Sequence, residues 1–515
     1  MGPATVSEER KQLGALLRGV VKVLVVSDPP DYDQPWQTQG AESSTGSGVI
    51  VETALGLRIL TNAHCVQDHV YVEVRRYGRS KKHVAVVEAI GHECDLALLS
   101  VDDEVFFQGV TPMSVGPVPE LGDTVSVCGF PVGGERVSIT RGIVSRIDLV
   151  RYEQSQRMLL ALQIDAAINS GNSGGPVVRG NQLVGIAFQA LEDAEQVGYV
   201  IAGPVVTHFL EDVARDARTG FPALGAYAQP LESRSHRAHL GLPLERTGGV
   251  LIRRVDWGGA AWGVLEEGDV LLAVDGVPIQ ADGTVPLREG ELVDFSHLFS
   301  RRFVGEAANA TIFRQGSIID CVLPLRPPRP LVPEERYDVR PTYYIFGGLL
   351  FVPLSKNYLK TYGDPWWQTA PRDLLQLYED GSLSADYREP VVLQKVLADQ
   401  VNQGYHDLES LLVESVNDRP IGDLRELIEV VESAEGRFLD VLAHDGRRVV
   451  IDRAEASRRQ QFIFDLFGVP EDRSPDLLPS AREPANPADP LELEEAAQDL
   501  GDSNSPGARI SQLPT

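Results

Sequence analysis

At 515 residues the chain is longer than one hydrophobic core can organise, so about three domains of ordinary size are expected. A formal charge of −27 repels phosphate backbones and anionic lipid, which argues against nucleic acid and membrane surfaces as partners. No stretch reaches the roughly 18–20 uninterrupted apolar residues needed to span a bilayer. The most apolar early segment, Leu13 to Val26, is broken by Arg18 and Lys22 and reads as a strand rather than a signal peptide, which makes a cytoplasmic location the expectation. Cys65, Cys94, Cys128 and Cys321 are too few for a disulfide framework. Plain buried thiols are expected, with a Cys65–Cys94 pair or a redox-sensitive thiol as the alternative.

In chain order, residues 1–15 form an N-terminal tail. Residues 16–217 show short β-branched runs separated by glycine and polar turns: Val20 to Val26, Gly48 to Val51, Val70 to Val74, Val84 to Ile90, Leu96 to Val101, Thr124 to Cys128, Val137 to Ile147, Leu159 to Ile164 and Leu183 to Phe188. Such spacing predicts a sandwich or barrel of antiparallel strands. Helical periodicity over Pro204 to Ala217 closes this domain. A second unit covers 218–328 and ends in the proline-rich Pro327-Pro328-Arg329-Pro330, so 329–336 reads as a linker. A third unit covers 337–470. The acidic, Pro- and Ser-rich stretch 471–515 reads as a disordered tail. The second and third units resemble copies of one plan, each with a strand pair meeting at a tight turn, Asp275-Gly276 in one and Asn417-Asp418 in the other.

The most informative string is Gly171-Asn172-Ser173-Gly174-Gly175-Pro176. Glycines on both sides of a serine free the backbone to present the hydroxyl while amide hydrogens converge nearby. Gly171, Asn172 and Ser173 are therefore the candidate oxyanion hole, with the amides of Ser173 and Gly171 as donors. Thr61-Asn62-Ala63-His64 follows an apolar strand and places an imidazole at a strand end, where it can act as general base. Asp95 heads the apolar run Leu96 to Leu99, where its burial requires a partner such as the imidazole N–H. His69, His83 and His92 lie in polar or charged runs, and Asp68, Asp102 and Asp103 near strand ends or turns, so they compete poorly. His64, Asp95 and Ser173 thus read as a catalytic triad, in the chain order of trypsin-like enzymes.

Over residues 16 to 469 the chain resembles the Deg/HtrA serine proteases with two PDZ domains, nearest to the plant-type Deg branch. The matching strings are Thr-Asn-Ala-His at 61–64, Glu-Cys-Asp-Leu-Ala-Leu-Leu at 93–99, Gly-Phe-Pro-Val-Gly-Gly at 129–134, Ile-Asp-Ala-Ala-Ile-Asn-Ser-Gly-Asn-Ser-Gly-Gly-Pro at 164–176 and Val-Gly-Ile-Ala-Phe-Gln at 184–189. The resemblance implies a mainly β protein, with a trypsin-like double β-barrel followed by two α+β PDZ domains. The implied activity is ATP-independent endoproteolysis of unfolded, damaged or regulatory proteins through an acyl-enzyme.

It also implies a specificity pocket lined by Ala167, Ile168, Gly185, Ile186 and Ala187. No acidic residue stands in those segments, so cleavage after small or medium aliphatic residues is expected. The loops after Phe130 and Phe188 become the expected activation elements. Leu224, Gly225 and Ala226, and Phe346, Gly347, Gly348 and Leu349, become the candidate peptide-carboxylate loops. Protein or peptide substrates and a homo-oligomer, a trimer or a multiple of trimers, are the implied partners; no metal or other cofactor is expected. The family's presence in nucleus and organelles stands beside the cytoplasmic reading. The competing function is a PDZ-based scaffold or holdase with residual proteolysis, against which the intact triad argues.

Overall fold

The computed structural model describes residues 14–131, 134–169, 171–190, 197–215, 219–243 and 247–478. The β-branched runs form two antiparallel layers. The first orders its strands as His83–Val84, His69–Arg76, Val20–Ser27, Glu42–Thr53, Gly56–Thr61, Leu96–Ser100 and Val86–Gly91. The run expected as one strand from Val84 to Ile90 bends at Ala85. Its first part pairs with His69–Arg76 and its second with Leu96–Ser100, so the bend carries the chain from one edge of the sheet to the other. The second layer is a closed barrel, in the order Met158–Ile164, Gly198–Ala202, Gln182–Ala190, Pro176–Arg179, Thr124–Gly129 and Ser138–Arg151. The helix Gly203–Ala214 packs on it with Val205, Val206 and Phe209 buried.

The second unit is a sheet ordered Ala226–Pro230, Val250–Val255, Val270–Val274, Ala307–Arg314 and Ser317–Pro324. The third repeats that path with Leu349–Pro353, Val391–Val396, Leu411–Val416, Phe438–Ala443 and Arg448–Asp452. The shared turn is explained by backbone sign. Asp275 and Gly276 have φ of 48° and 77°, and Asn417 and Asp418 have 49° and 62°, the left-handed pair that tight hairpins favour and that Asn, Asp and Gly tolerate. The units then diverge. After the turn and the short strand Arg419–Pro420, the third places the helix Leu424–Ser433, capped by Asp423, whereas the second inserts the hairpin Thr284–Arg288 and Glu291–Asp294 before a four-residue helix, His297–Ser300.

Packing redraws two boundaries. Leu331 and Val332, expected in the 329–336 linker, are buried in one core with Ile345, Leu350 and Leu374, and Lys356 N donates to Pro333 O at 3.0 Å. This stretch belongs to the third unit, because burying two aliphatic side chains outweighs the chain stiffness that prolines impose. The expected tail start at 471 is also displaced. Ile345 N donates to Asp472 O at 2.7 Å, Ser474 N donates to Tyr343 O at 3.0 Å, and Leu477 is buried. The remainder of the tail, 479–515, and residues 1–13 lie outside the described residues. The cysteines are free, with Cys65 in the first layer's core and Cys94 in another, which removes the Cys65–Cys94 alternative.

The units are joined by contact as well as by chain. The barrel core continues into the second unit, with Leu162 and Phe221 in the same apolar cluster as Ile252 and Phe299. The loop before the second strand docks on the third unit, where Trp36 lies edge-on to Tyr343 at 5.9 Å and Gln394 donates to the carbonyls of Tyr32 and Asp33.

Replacing Leu477 with Ala is expected to cost about 2–3 kcal/mol of third-unit stability by leaving a cavity. The measurement is amide hydrogen exchange, which should speed up at Tyr344 to Phe346 and remain unchanged in the closed barrel.

Candidate active site

Asp95 sits between a three-residue 3₁₀ turn, His92–Cys94, and the strand Leu96–Ser100. Its backbone is left-handed, with φ 53° and ψ 44°, a conformation Asp tolerates better than most residues. The side chain is 2% exposed. One carboxylate oxygen accepts from His64 N at 2.9 Å and the other from His64 Nδ1 at 2.7 Å, so one residue satisfies both sides of the buried charge. Asn62 steadies the same turn by donating Nδ2 to Asp95 O at 2.8 Å. Burial alone would push the His64 pKa down, but the ionised Asp95 beside it outweighs this, and the net displacement is well above the ordinary histidine value. With Nδ1 committed to Asp95, Nε2 is the ring nitrogen left for other chemistry.

Ser173 lines the same open cavity of about 850 Å³ as His64, Cys65 and Gly171. No hydrogen bond joins its hydroxyl to the imidazole among the described residues; such bonds are commonly long before a substrate tightens them. The loop that carries Ser173 owes its glycines to space as much as to φ. A Cβ on Gly174 would stand 2.1 Å from Ser47 O, and one on Gly175 would stand 2.3 Å from Cys128 O. Both layers therefore press on this loop from either side.

The strut that brings them together is Ser47, which the sequence reading passed over. Its amide donates to Ser173 O at 2.8 Å, its hydroxyl donates to Gly171 O at 2.6 Å, and Ser47 Oγ in turn accepts from Phe130 N at 2.8 Å. Thr61, one strand over, donates to Ser47 O at 2.6 Å. The available signal was Gly46-Ser47-Gly48, small residues opening an apolar strand. A Cβ on Gly46 would meet Cys65 Sγ at 2.7 Å, and one on Gly48 would meet Ile59 Cγ2 at 2.9 Å.

Of the oxyanion candidates, the amides of Gly171 and Ser173 donate to nothing among the described residues. The Asn172 amide is taken up by Asn169 O at 2.9 Å, and Asn172 itself is 2% exposed. Its place is in the turn and not in the hole. The expected pocket residues divide likewise. Ala167 is half-buried, with its carbonyl accepting from Thr140 Oγ1, and Ile168 packs where a Cβ on Gly198 would stand. Ala187 is tied to the nucleophile loop, since Gly174 N donates to Ala187 O at 2.9 Å and Ala187 N to Gly175 O at 3.0 Å. Gly185 and Ile186 are packed inside the barrel: a Cβ on Gly185 would meet Ile201 O at 2.1 Å, and Ile186 is fully buried. Neither is open to a substrate. In the expected activation loops, Val132, Gly133 and residues 191–196 lie outside the described residues. Glu135 pairs with Lys22 at 3.0 Å and Arg75 at 2.6 Å.

The two carboxylate-loop candidates also part company. In the second unit the amides of Leu224 and Gly225 donate to nothing among the described residues, and Ala226–Pro230 is the edge of its sheet. In the third unit Gly347 N donates to Gln460 Oε1 at 2.8 Å, from the helix Arg453–Phe467. The strand position beside Leu349–Pro353 is filled by Tyr344–Phe346, itself flanked by Asp472 to Ser474. The expected ligand loop Phe346 to Leu349 is thus occupied by its own chain. The hairpin and the helix belong to the same folded unit, the helix contact spanning 113 residues of chain, and reach it without the ordering cost of an outside peptide.

The geometry predicts that the His64 imidazole titrates above about 6.5. Asp95→Asn should bring it down by removing the charge that favours the imidazolium, as read by NMR of carbon-labelled histidine.

Residues 46–186 match a family model described as a trypsin-like peptidase domain, and residues 332–476 one described as a PDZ domain. Protease Do-like 2, chloroplastic, of Arabidopsis thaliana is 37% identical over 493 residues, covering 95% of this chain and 79% of that protein. Protease Do-like 4, mitochondrial, of the same plant is 37% identical over 460 residues, covering 88% and 84%. A solved structure of a single-residue variant of the HtrA-type protease AlgW with a decapeptide shares the fold, with a TM-score of 0.50 at 22% identity, over 63% of this chain and 99% of that one. Likeness of this order along almost all of the chain, with a trypsin-like peptidase module ahead of a PDZ module, makes this protein a member of the Do-like, or Deg/HtrA, family of serine endopeptidases.

Proposed function

We propose that Ser173, His64 and Asp95 carry out ATP-independent hydrolysis of peptide bonds in unfolded, damaged or regulatory proteins. The observation that supports this most directly is the Asp95–His64 bond of 2.7 Å beside a cavity lined by His64, Gly171 and Ser173, the amides of the last two donating to nothing among the described residues. Ser173 Oγ attacks the scissile carbonyl as its proton passes to His64 Nε2. The carbonyl oxygen, now an oxyanion, is held by the Gly171 and Ser173 amides, each such donor contributing about 3–4 kcal/mol to the transition state. Collapse expels the amine, which takes the proton from His64 and leaves an acyl-enzyme. Water then attacks that ester with His64 again as base, and Ser173 is regenerated.

Ala167 and Ile168 bring no charge to the acyl side, which favours small or medium aliphatic side chains there. The second unit is read as the peptide-capturing PDZ, through its open edge Ala226–Pro230 and the loop at Leu224 and Gly225. The third, its own loop filled, is read as an assembly or holding element. A homotrimer or a multiple of trimers is the proposed assembly. Among the described residues no helix is long and apolar enough to cross a membrane. An organellar address, which the names of the Arabidopsis relatives carry, stands beside the cytoplasmic one read from the sequence, and fractionation of the native protein separates the two.

A fluorophosphonate should label the chain at Ser173 alone, and Ser173→Ala should abolish both labelling and casein cleavage. Casein cleavage that survives Ser173→Ala would overturn the triad, and a biological effect that survives without cleavage would favour the scaffold reading. In a peptide-library profile the preferred residues before the cut should be small or medium aliphatics; a preference for Lys or Arg would refute the pocket assignment.

A further inference from the structure

The two turns that carry His64 and Asp95 are held together from outside the peptidase domain. Asp338 lies in the segment leading into the third unit. Its amide donates to Asp68 Oδ1 at 2.8 Å, and its Oδ1 accepts from Asp68 N at 2.7 Å. This reciprocal pair clasps the turn four residues beyond His64. Its Oδ2 meets His92 Nε2 at 2.8 Å, in the 3₁₀ turn that delivers Asp95. Next to it the Tyr337 ring lies 4.9 Å from the His92 ring, and its hydroxyl donates to Gln154 O at 3.4 Å. Gln154 in turn donates to Gln67 Oε1 at 2.7 Å, on the His64 side. The neighbouring residue of the 3₁₀ turn is held by the hinge to the second unit, where Glu93 Oε2 accepts from Phe221 N at 2.9 Å.

The arrangement has a mechanical meaning. Asp95, Asp68 and Asp338 all have positive φ, 53°, 51° and 61°, which side-chain-bearing residues hold only where their surroundings impose it. The dyad is built from two short turns, and such turns contribute little rigidity of their own. We propose that Asp338 is a positioning residue for the His64–Asp95 pair, supplied in cis by the third unit, so that catalysis depends on that unit being docked. This rests on the triad assigned above.

The test uses the full chain and a fluorogenic peptide too short to reach either PDZ unit. Asp338→Asn keeps the shape and removes the charge facing His92. His92→Phe keeps the ring against Tyr337 and removes the bond to Asp338. Each should lower kcat by about tenfold with KM within about twofold. Each should also move the acid limb of kcat/KM downward by about half a pH unit, because a loosened Asp95 favours the imidazolium less. The other groups facing the dyad are Cys65, beside His64, and Cys94, Tyr152 and Tyr337, the last three pushed upward with burial the main cause. Asp68, His69 and His92 face Asp338 itself. Asp338→Glu should restore part of the rate. An unchanged kcat and acid limb in folded variants would overturn the proposal, as would a loss uniform across pH that matches the unfolded fraction in a thermal melt. Asp95→Asn runs alongside: if it keeps the parent rate and acid limb, the triad reading has failed and the brace falls with it, whereas its loss beside an unaffected Asp338→Asn refutes the brace alone.

Discussion

A single carboxylate sets the terms for the centre of this molecule. Asp95 is almost wholly withdrawn from water, and an ion so placed is costly unless each oxygen is met. His64 meets both, one through its amide and one through its ring. The residue that neutralises the burial cost is thus the one whose tautomer and basicity the burial then controls. Removing either partner leaves the other exposed to that cost, so the dyad is structural and electrostatic at once.

The nucleophile loop obeys a second constraint, that of close approach. Gly174 and Gly175 lie where the carbonyls of Ser47 and Cys128 leave no room for a Cβ. Ser47, from the first layer, bonds to the loop through both its amide and its hydroxyl. The two layers therefore do not merely abut. They share a seam of hydrogen bonds to main-chain groups, after which the amides of Gly171 and Ser173 donate to nothing among the described residues.

The C-terminal units show how one sheet plan takes two roles. Both use the same left-handed turn and strand order, yet one leaves an edge strand and its preceding amides open while the other fills the equivalent place with its own hairpin, its Gln460 side chain and residues 472–474. An open edge invites an added strand; a filled edge offers its outer surface instead. The third unit's leading segment also lies against the turns that carry His64 and Asp95, through Asp338.

The strands were legible from the chain because alternating or continuous β-branched runs bounded by Gly and polar turns have few other ways to bury themselves. His64, Asp95 and Ser173 were legible because each stands at a strand end in a short, chemically specific string. Ser47, Asp338 and Glu93 were not, since their partners lie 124, 246 and 128 residues away and nothing local marks a serine in a strand or an acid in a turn as a cross-domain contact. Leu331 and Leu477 misled for the same reason: proline-rich and acidic surroundings predict exposure, and only the third unit's core supplies the apolar surface that buries them. Local sequence determined which elements form and which groups hold chemistry. Tertiary packing decided which amides stay free, which loop is filled and what holds the dyad in place, because those depend on the distances between segments that chain connectivity leaves open.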